Sequence, residues 1–196
     1  MRVTRQRLSR VSQGDIYRDV EFVEYVAEKK GIIEVSKIVF PFVIVLTQDC
    51  DLEQDFKIRY EKIPAQTQDK LILSVLVAPI YNVEHVFSGE HLSQLTIQMR
   101  SIPRSHTEGK YLVSNQLPRY HYLDFPSELQ IAPSVIDFKH YFSVNVEYLK
   151  RKKNDLVCRV SPLYREDISQ RFASFLSRIG LPEVQKVEPS ENIKTS

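Results

Sequence analysis

The spacing of the glycines is the feature that most restricts what this chain can fold into. Its 196 residues include five glycines, at positions 14, 31, 89, 109 and 180, and no two of them lie closer than 17 residues. A Walker A loop, a GxGxxG dinucleotide-binding loop and a GxSxG nucleophile elbow all need closely spaced glycines, for a tight turn or a close backbone approach. The sequence therefore excludes these motifs and, with them, most mononucleotide-binding and hydrolase folds.

Composition indicates the class and compartment. The longest apolar run, residues 38–46, is too short to span a bilayer. Four arginines lie in the first ten residues without a following apolar stretch, which does not fit a secretory signal. Cys50 and Cys158 have no zinc-binding spacing around them, and two cysteines in a chain of this size fit a reduced compartment. We expect a cytoplasmic protein without membrane contact, metal or cofactor.

Short β-strands dominate the predicted secondary structure. Residues 14–26 are rich in β-branched and aromatic side chains and indicate one strand or two linked by a bend. Residues 37–47 and 70–80 are apolar and predict buried strands, joined by a polar connection over 48–69. Pro41 lacks a backbone donor, so it predicts an edge or a bulge. Weaker patterns predict a short helix over 90–100 and strands over 110–114, 121–124 and 128–131.

The last third of the chain predicts a hairpin and a helix. Apolar and polar residues alternate over 140–149 and again over 156–160, so we expect two paired strands with the basic run 150–153 at the tip. Ser161 as N-cap and Pro162 in the first turn predict a helix over 162–179, ended by Gly180. Its apolar stripe is Ile168, Phe172, Phe175, Leu176 and Ile179.

These elements predict one mainly β domain. Many short strands followed by a single helix indicate a small antiparallel barrel covered by that helix. We place the domain at residues 11–185, after a basic N-terminal arm (1–10) and before a flexible tail (186–196).

The order of these elements resembles the PemK/MazF toxin family. The resemblance rests on residues 11–17 (VSQGDIY), 40–46 (FPFVIVL), 73–80 (LSVLVAPI) and 134–146, followed by the 156–160 strand and the terminal helix. It implies an SH3-like barrel, a homodimer, and metal-independent cleavage of single-stranded RNA in a bacterial toxin–antitoxin or defence setting. Relative to that family, about residues 82–133 are an insertion.

Two positions differ from the family's catalytic pattern. The family's Arg-Pro pair is replaced by Phe40-Pro41, and the position of its catalytic Thr or Ser falls at Ile80 or Tyr81. Cleavage without a metal needs a base for the 2′-hydroxyl, an acid for the leaving oxygen and a cation for the phosphorane. The available side chains of these types are His121 or His140 as base, Tyr81 as acid and Arg119 as cation.

Basic and aromatic residues predict the contacts with RNA, because cations bind phosphates and aromatic rings stack on bases. The predicted RNA-binding residues are Lys150, Arg151, Lys152, Lys153, Lys29, Lys30, Lys37, Tyr120 and Tyr122.

Two other interpretations of the sequence remain open. In the first, the protein is a non-catalytic SH3-like interaction module that binds a protein partner, such as an antitoxin, through the 82–133 insertion. In the second, Asp49 and Asp51 after an apolar strand bind magnesium as in haloacid-dehalogenase-type phosphatases. That fold needs alternating strands and helices, which the pattern lacks, and Asp49 and Asp51 also fit turn caps.

Overall fold

A computed structural model describes residues 1–5, 9–61 and 67–178. Its strands, in chain order, are β1 (Val3–Thr4), β2 (Asp15–Lys29), β3 (Ile32–Val45), β4 (Ser74–Asn82), β5 (Tyr120–Leu123), β6 (Ser134–Asp137), β7 (Phe142–Asn145) and β8 (Leu156–Val160). Its helices are α1 (Asp49–Tyr60), α2 (Val83–Ser88), α3 (Thr107–Val113), α4 (Val146–Arg151) and α5 (Pro162–Leu176). The mainly β class and the C-terminal helix are as predicted.

The strands form one curled antiparallel sheet that closes part of a barrel. Neighbouring strands follow the order β1-β8-β2-β3-β4-β6-β5. The seventh pairing joins β7 to β4, so one edge of β4 has two partners in succession. Ser74 to Val77 pair with β7, and Ile80 to Asn82 pair with β6. The chain between β6 and β7 therefore lies where β4 changes partner.

The predicted strands around Pro41 are present. Arg18 pairs with Phe42 and Val20 pairs with Phe40, but Asp19 and Pro41 between them do not pair. Asp19 has a φ of 54°, so the ladder is interrupted at the proline. On its other side, β3 pairs with β4 only over Val43 to Val45. Pro41 thus lies where its missing donor costs no hydrogen bond.

Helix α5 covers the open end of the half-barrel. Ile168, Phe172 and Phe175 are buried in a core with Ile16, Ile44, Ile136 and Phe138, whereas Leu176 is half-exposed. Ser161 occupies the N-cap position, but its side chain makes no capping hydrogen bond. Ile179, Gly180 and the predicted tail 186–196 lie outside the described residues.

The prediction of a polar connection after β3 is wrong, because residues Asp49–Tyr60 within it form helix α1. Acidic residues in its first turn and basic residues in its last turn complement the helix dipole. Leu52 is buried, and Arg59 donates a 2.7 Å hydrogen bond to buried Asp55 one turn earlier. The charges that suggested a loop are those that stabilise this helix.

The predicted hairpin over 140–160 is also wrong. Strand β7 ends at Asn145, whose side chain accepts a hydrogen bond from the Glu147 amide and starts helix α4. Val146 and Leu149, three residues apart, are buried on one face of that helix. Strand β7 pairs with β4, and β8 pairs with β1 and β2, so β7 and β8 are not neighbours.

Residues 82–133, expected to be an insertion, have a small core of their own and contribute β5 to the sheet. Its buried residues include Val83, Val86, Ile102 and Leu112, which pack with Val135 of β6. The strand predicted over 121–124 is β5, but residues predicted as strands over 110–114 lie in α3, and those over 128–131 include a 3-10 turn, Ser127–Leu129. In place of a helix over 90–100 there is one 3-10 turn, Ser93–Leu95.

The N-terminal arm is attached to the domain. Val3 and Thr4 pair with β8, and the Arg5 side chain donates to the carbonyl of Glu128 at 2.6 Å. Arg10 is held by Asp49, at 2.8 and 3.0 Å. In the described part of the chain, no helix has the length and apolar character needed to cross a membrane.

Candidate active site

A buried carboxylate stands at the junction of β6 and β7. Asp137 is the last residue of β6 and has no solvent exposure. It also caps the 3-10 turn Phe138–His140, because its Oδ1 accepts a 3.0 Å hydrogen bond from the Lys139 amide. This turn brings His140 back toward the carboxylate.

Arg119 is the cationic partner of Asp137. Its Nε donates to Oδ1 at 2.8 Å, and its Nη2 donates to Oδ2 at 2.5 Å. The backbone supports this fork, since Tyr120 pairs with Asp137 across the sheet and the Phe138 amide donates to the Arg119 carbonyl. The guanidinium also lies 4.9 Å from the centre of the Tyr120 ring, within the range of a cation–π contact. Burial opposes the charge of Arg119, but the carboxylate outweighs burial and raises the pKa of the guanidinium.

Two histidines complete the surroundings of Asp137. The Nδ1 of His140 lies 3.0 Å from Oδ2, and the Nε2 of His91 lies 3.8 Å from the same oxygen. Burial opposes ionisation of Asp137, but the contacts with His140, His91 and Arg119 prevail and hold the pKa of the carboxyl well below its usual range. The carboxylate is therefore an anion that faces one guanidinium and two imidazole rings.

Tyr81 faces the same centre. It pairs with Val135, and since alternate residues of a strand share a face, Tyr81 and Asp137 point to the same side of the sheet. The Tyr81 ring centre lies 5.0 Å from that of His91 and 6.3 Å from that of His140. Burial, aided by the charge of Asp137, raises the pKa of the Tyr81 phenol above its usual value, so the group is a proton donor.

A cavity of about 500 Å³ adjoins this centre. Tyr81 and His91 line it, together with an apolar wall from β3 that includes Phe40 and Phe42 and with the side chains of Gln94 and Gln130. The Tyr81 hydroxyl and both ring nitrogens of His91 are buried and have no hydrogen-bond partner among the described residues. The nearby Nδ1 of His140 is also buried without a hydrogen-bond partner. Buried polar atoms are nearly always paired, so these atoms need a partner such as water or a polar ligand.

The structure brings Arg119 and Tyr81 together but not His121. His121 pairs with Ile136, on the opposite face of the sheet from Asp137, and its ring lies 6.3 Å from that of Phe138 in the main core. Burial, with a smaller contribution from Arg171, lowers the pKa of His121 to about 3. Because its ring faces the main core and not Asp137, His121 cannot serve this centre as a base, and His140, the other candidate from the sequence, lies there instead.

His91 was not among the residues predicted for the site. Its position depends on Gly89, which ends α2 with a φ of +80° and turns the chain toward Asp137. A side-chain carbon at Gly89 would lie 2.3 Å from the Met99 carbonyl oxygen, so glycine is required there. No local pattern around Glu90-His91 indicates this long-range contact.

The basic run lies on another surface, at the end of α4. Lys150 lies over the rings of Phe56 and Tyr60, and Lys152 lies 3.1 Å from Asp155. Arg151 and Lys153 are exposed. All but Lys152 line a groove of about 930 Å³, which also includes Arg10 and Asn154. Although the predicted hairpin tip is absent, the four cations remain neighbours.

The other predicted RNA-binding residues are dispersed. Lys29 pairs with Glu34 at 3.0 Å and Lys37 pairs with Glu21 at 2.6 Å, which offsets their charges. Lys30 forms the turn between β2 and β3 with a φ of 53°. Burial raises the pKa of Tyr120 to about 12, and that ring is covered. The neighbouring Tyr122 is half-buried.

The acidic pair considered for magnesium has other partners. Asp49 binds Arg10 and lies 3.3 Å from Arg165, and it accepts a hydrogen bond from the Gln13 amide. Asp51 is exposed in the first turn of α1. Within the three described ranges, no group of His, Cys, Asp and Glu side chains has the arrangement of a metal site.

A search of protein-family models and of curated proteins found no match to this sequence.

Proposed function

We propose that the protein is a PemK/MazF-like, SH3-type barrel that binds single-stranded RNA and cleaves it at the Asp137 centre. The observation that carries the proposal is the convergence of Arg119, His140, His91 and Tyr81 on one carboxylate beside a cavity with unpaired polar atoms. These are the residue types that metal-independent phosphodiester cleavage needs: a base, an acid and a cation.

The roles follow from the contacts. The Nδ1 of His140 lies 3.0 Å from Oδ2 of Asp137, which places the ring beside the carboxylate, and its Nε2 is left for substrate. Its side chain is 26% exposed, compared with 1% for His91, so His140 is the more accessible base. His140 takes the proton of the 2′-hydroxyl, and Arg119 offsets the charge that develops on the phosphorane.

The leaving group receives its proton from Tyr81. The 2′-oxygen forms a bond to phosphorus, the bond from phosphorus to the 5′-oxygen breaks, and that oxygen takes the phenolic proton. The products are a 2′,3′-cyclic phosphate and a 5′-hydroxyl. The cavity beside Tyr81 is large enough for a nucleobase, and its walls combine aromatic rings with amide groups, the two kinds of contact that single-stranded RNA uses.

The RNA backbone binds along the groove at the end of α4. Arg151 and Lys153 are exposed there, and none of the ion pairs of the described residues engages them. Lys150 lies over the Tyr60 ring and lines the same groove. Such a surface contacts phosphates without reading sequence.

The test is incubation of the purified protein with a long unstructured RNA in EDTA. We expect discrete cuts with cyclic phosphate ends, no cut at a site with a 2′-deoxy substitution, and loss of cutting in Arg119→Ala. His121→Phe is the matched control, because it alters a histidine two residues from Arg119 that faces the core, and it should cut normally. An intact RNA with folded wild-type protein would overturn the cleavage mechanism, and the absence of salt-dependent RNA binding at low ionic strength would overturn both parts of the proposal.

The second candidate function is that of a protein-interaction module. Tyr111 and Val113 of α3 and Ile97 are large apolar side chains exposed on the insertion. They favour a partner-binding surface there, as expected of an antitoxin-binding protein. Stable capture of a cognate partner that is lost on Tyr111→Ser, with RNA neither bound nor cut, would support this alternative in place of the nuclease.

A further inference from the structure

A tight turn at the start of β5 presents Arg119 to the Asp137 centre. The Tyr120 amide donates a 3.2 Å hydrogen bond to the Leu117 carbonyl, which closes a β-turn with Arg119 as its third residue. On the β6 side, the Arg119 carbonyl accepts a 3.0 Å hydrogen bond from the Phe138 amide. The direction of the Arg119 side chain therefore depends on how firmly the two ends of this turn are held.

Arg171 of helix α5 binds both ends of the turn. Its Nη2 donates to the carbonyls of Leu117 and Tyr120 at 2.8 Å each, and its Nη1 donates to the carbonyl of Asn115. One guanidinium thus joins three backbone carbonyls of the segment that leads into β5. The planar fork of arginine suits this arrangement, whereas the compact ammonium of a lysine does not.

The contacts of Arg171 are with the backbone rather than with a carboxylate. Burial lowers the pKa of its guanidinium, and Asp167, one turn earlier on α5, opposes this effect. A half-buried cation is costly unless its donors are bonded, so the three carbonyls account for its placement. Its neighbours Ile168 and Phe172 are buried in the main core, so Arg171 ties the turn to a firmly packed helix.

We infer that Arg171 is a positioning residue for Arg119. By fixing the turn, it keeps the Arg119 guanidinium in its two hydrogen bonds with Asp137, at 2.8 and 2.5 Å. A misplacement of about 1 Å can cost about 100-fold in the rate of an enzyme reaction. Helix α5, which also covers the core, is thereby part of the active site. The catalytic side of this inference rests on the proposed function, but the positioning of Arg119 does not.

Hydrogen exchange of the Arg119 Nε–H, followed by NMR, tests the positioning, because this group donates to Asp137. In Arg171→Met we expect this proton to exchange at least tenfold faster than in the wild type, after correction for the exchange of amides in the barrel core. That correction removes the effect of a general loss of stability. Exchange of the Arg119 Nε–H at the wild-type rate in Arg171→Met would overturn the inference, whether or not the protein cuts RNA.

Two further variants make the exchange measurement specific. Arg178→Met is the matched control, because Arg178 also donates to a backbone carbonyl, but to that of Phe175, three residues earlier in the chain. It should leave the Arg119 Nε–H unchanged, and an equal acceleration in this control would contradict the inference. Arg171→Lys covers the case in which Arg171→Met does not fold. It retains donors without the fork, so we expect a smaller acceleration of at least threefold, and none would count against the inference.

Cleavage kinetics test the catalytic side. Arg119 acts on the charge of the phosphorane, so its displacement should lower kcat rather than raise KM. We expect Arg171→Met to lower kcat at least tenfold with KM within threefold of the wild type, and Arg171→Lys to recover part of the loss. An unchanged kcat, or a change in KM alone, would overturn the inference. If the wild type leaves RNA intact, the proposed function fails, and the exchange measurement decides the positioning of Arg119 by itself.

Discussion

Asp137 accepts two hydrogen bonds from Arg119, at 2.8 and 2.5 Å, in a part of the sheet where the carboxylate has no access to solvent. Removing one partner of a buried ion pair leaves the other charge uncompensated and commonly costs about 3–5 kcal/mol. The pair is thus both a structural link between the insertion and the barrel and the basis of the proposed active site.

A double-mutant cycle measures this link. We expect Asp137→Asn and Arg119→Met each to lower the free energy of unfolding by at least about 2 kcal/mol, and the double variant to cost less than the sum, because no lone buried charge remains. Urea denaturation at pH 7.5 gives the four values. Strict additivity would show that the two groups do not interact.

His121 makes the stability depend on pH. Its pKa is about 3 in the folded protein, compared with 6.5 in an unfolded chain, so the unfolded state takes up a proton that the folded state does not. Stability from this group is complete above pH 6.5 and is lost as the pH falls from there toward 3. Between pH 7.5 and 5.0 the loss is about 2 kcal/mol.

His121→Phe isolates that contribution. Other carboxyl groups titrate in both proteins, whereas only the wild type has the histidine, so the wild type should lose about 2 kcal/mol more than the variant between pH 7.5 and 5.0. Urea unfolding at the two pH values provides the comparison. Equal pH dependence in both proteins would place His121 in a solvated environment.

The close approach at Gly89 predicts a specific cost for a side chain. Gly89 and Gly31 have nearly the same φ, +80° and +79°, but a Cβ at Gly31 would meet nothing within 4 Å. Gly31→Ala therefore measures the strain of the left-handed backbone alone, on the order of 1 kcal/mol. Gly89→Ala adds a clash with the Met99 carbonyl, so its unfolding free energy should fall further, and RNA cleavage should fall with it as His91 is displaced.

We predict that substitutions in the basic groove weaken RNA binding and make it less dependent on salt. Arg151→Gln/Lys153→Gln should weaken the binding of single-stranded RNA and lower the slope of log K against log salt by about 1.4, since each phosphate contact contributes about 0.7. Lys29→Gln/Lys37→Gln is the matched control, because these two cations are already paired with glutamates. Fluorescence anisotropy at several salt concentrations gives the slopes. An equal change in both double variants would mean that the groove has no special role.

Much of the fold follows from local patterns. Strand β8 and helix α5 are as predicted, because both depend on neighbouring residues. The strand follows from its apolar and polar alternation, and the helix start follows from Ser161-Pro162. The errors lie where a local signal competes with packing. The alternation over 140–149 fits a strand, but the Asn145 cap and the burial of Leu149 favour a helix after residue 145.

The site is less accessible to sequence reasoning. The sequence indicates Arg119 and Tyr81 only by their chemistry. Their meeting at Asp137 depends on the pairing of β5, β6 and β4, which are far apart in the chain. His121 and Arg119 are two residues apart, yet they contribute to opposite sides of the sheet. The turn at Gly89 brings His91 to Asp137, and that turn depends on how residues 82–133 fold.

The most direct test of the proposed mechanism is the rate of RNA cleavage in EDTA by His140→Gln compared with the wild type, at equal concentration and with urea midpoints shown to agree. General acid–base groups contribute about 10²- to 10⁴-fold to a rate, so we predict a loss of at least 100-fold in His140→Gln. Cleavage by this variant at the wild-type rate would contradict the assignment of the Asp137 centre as the active site.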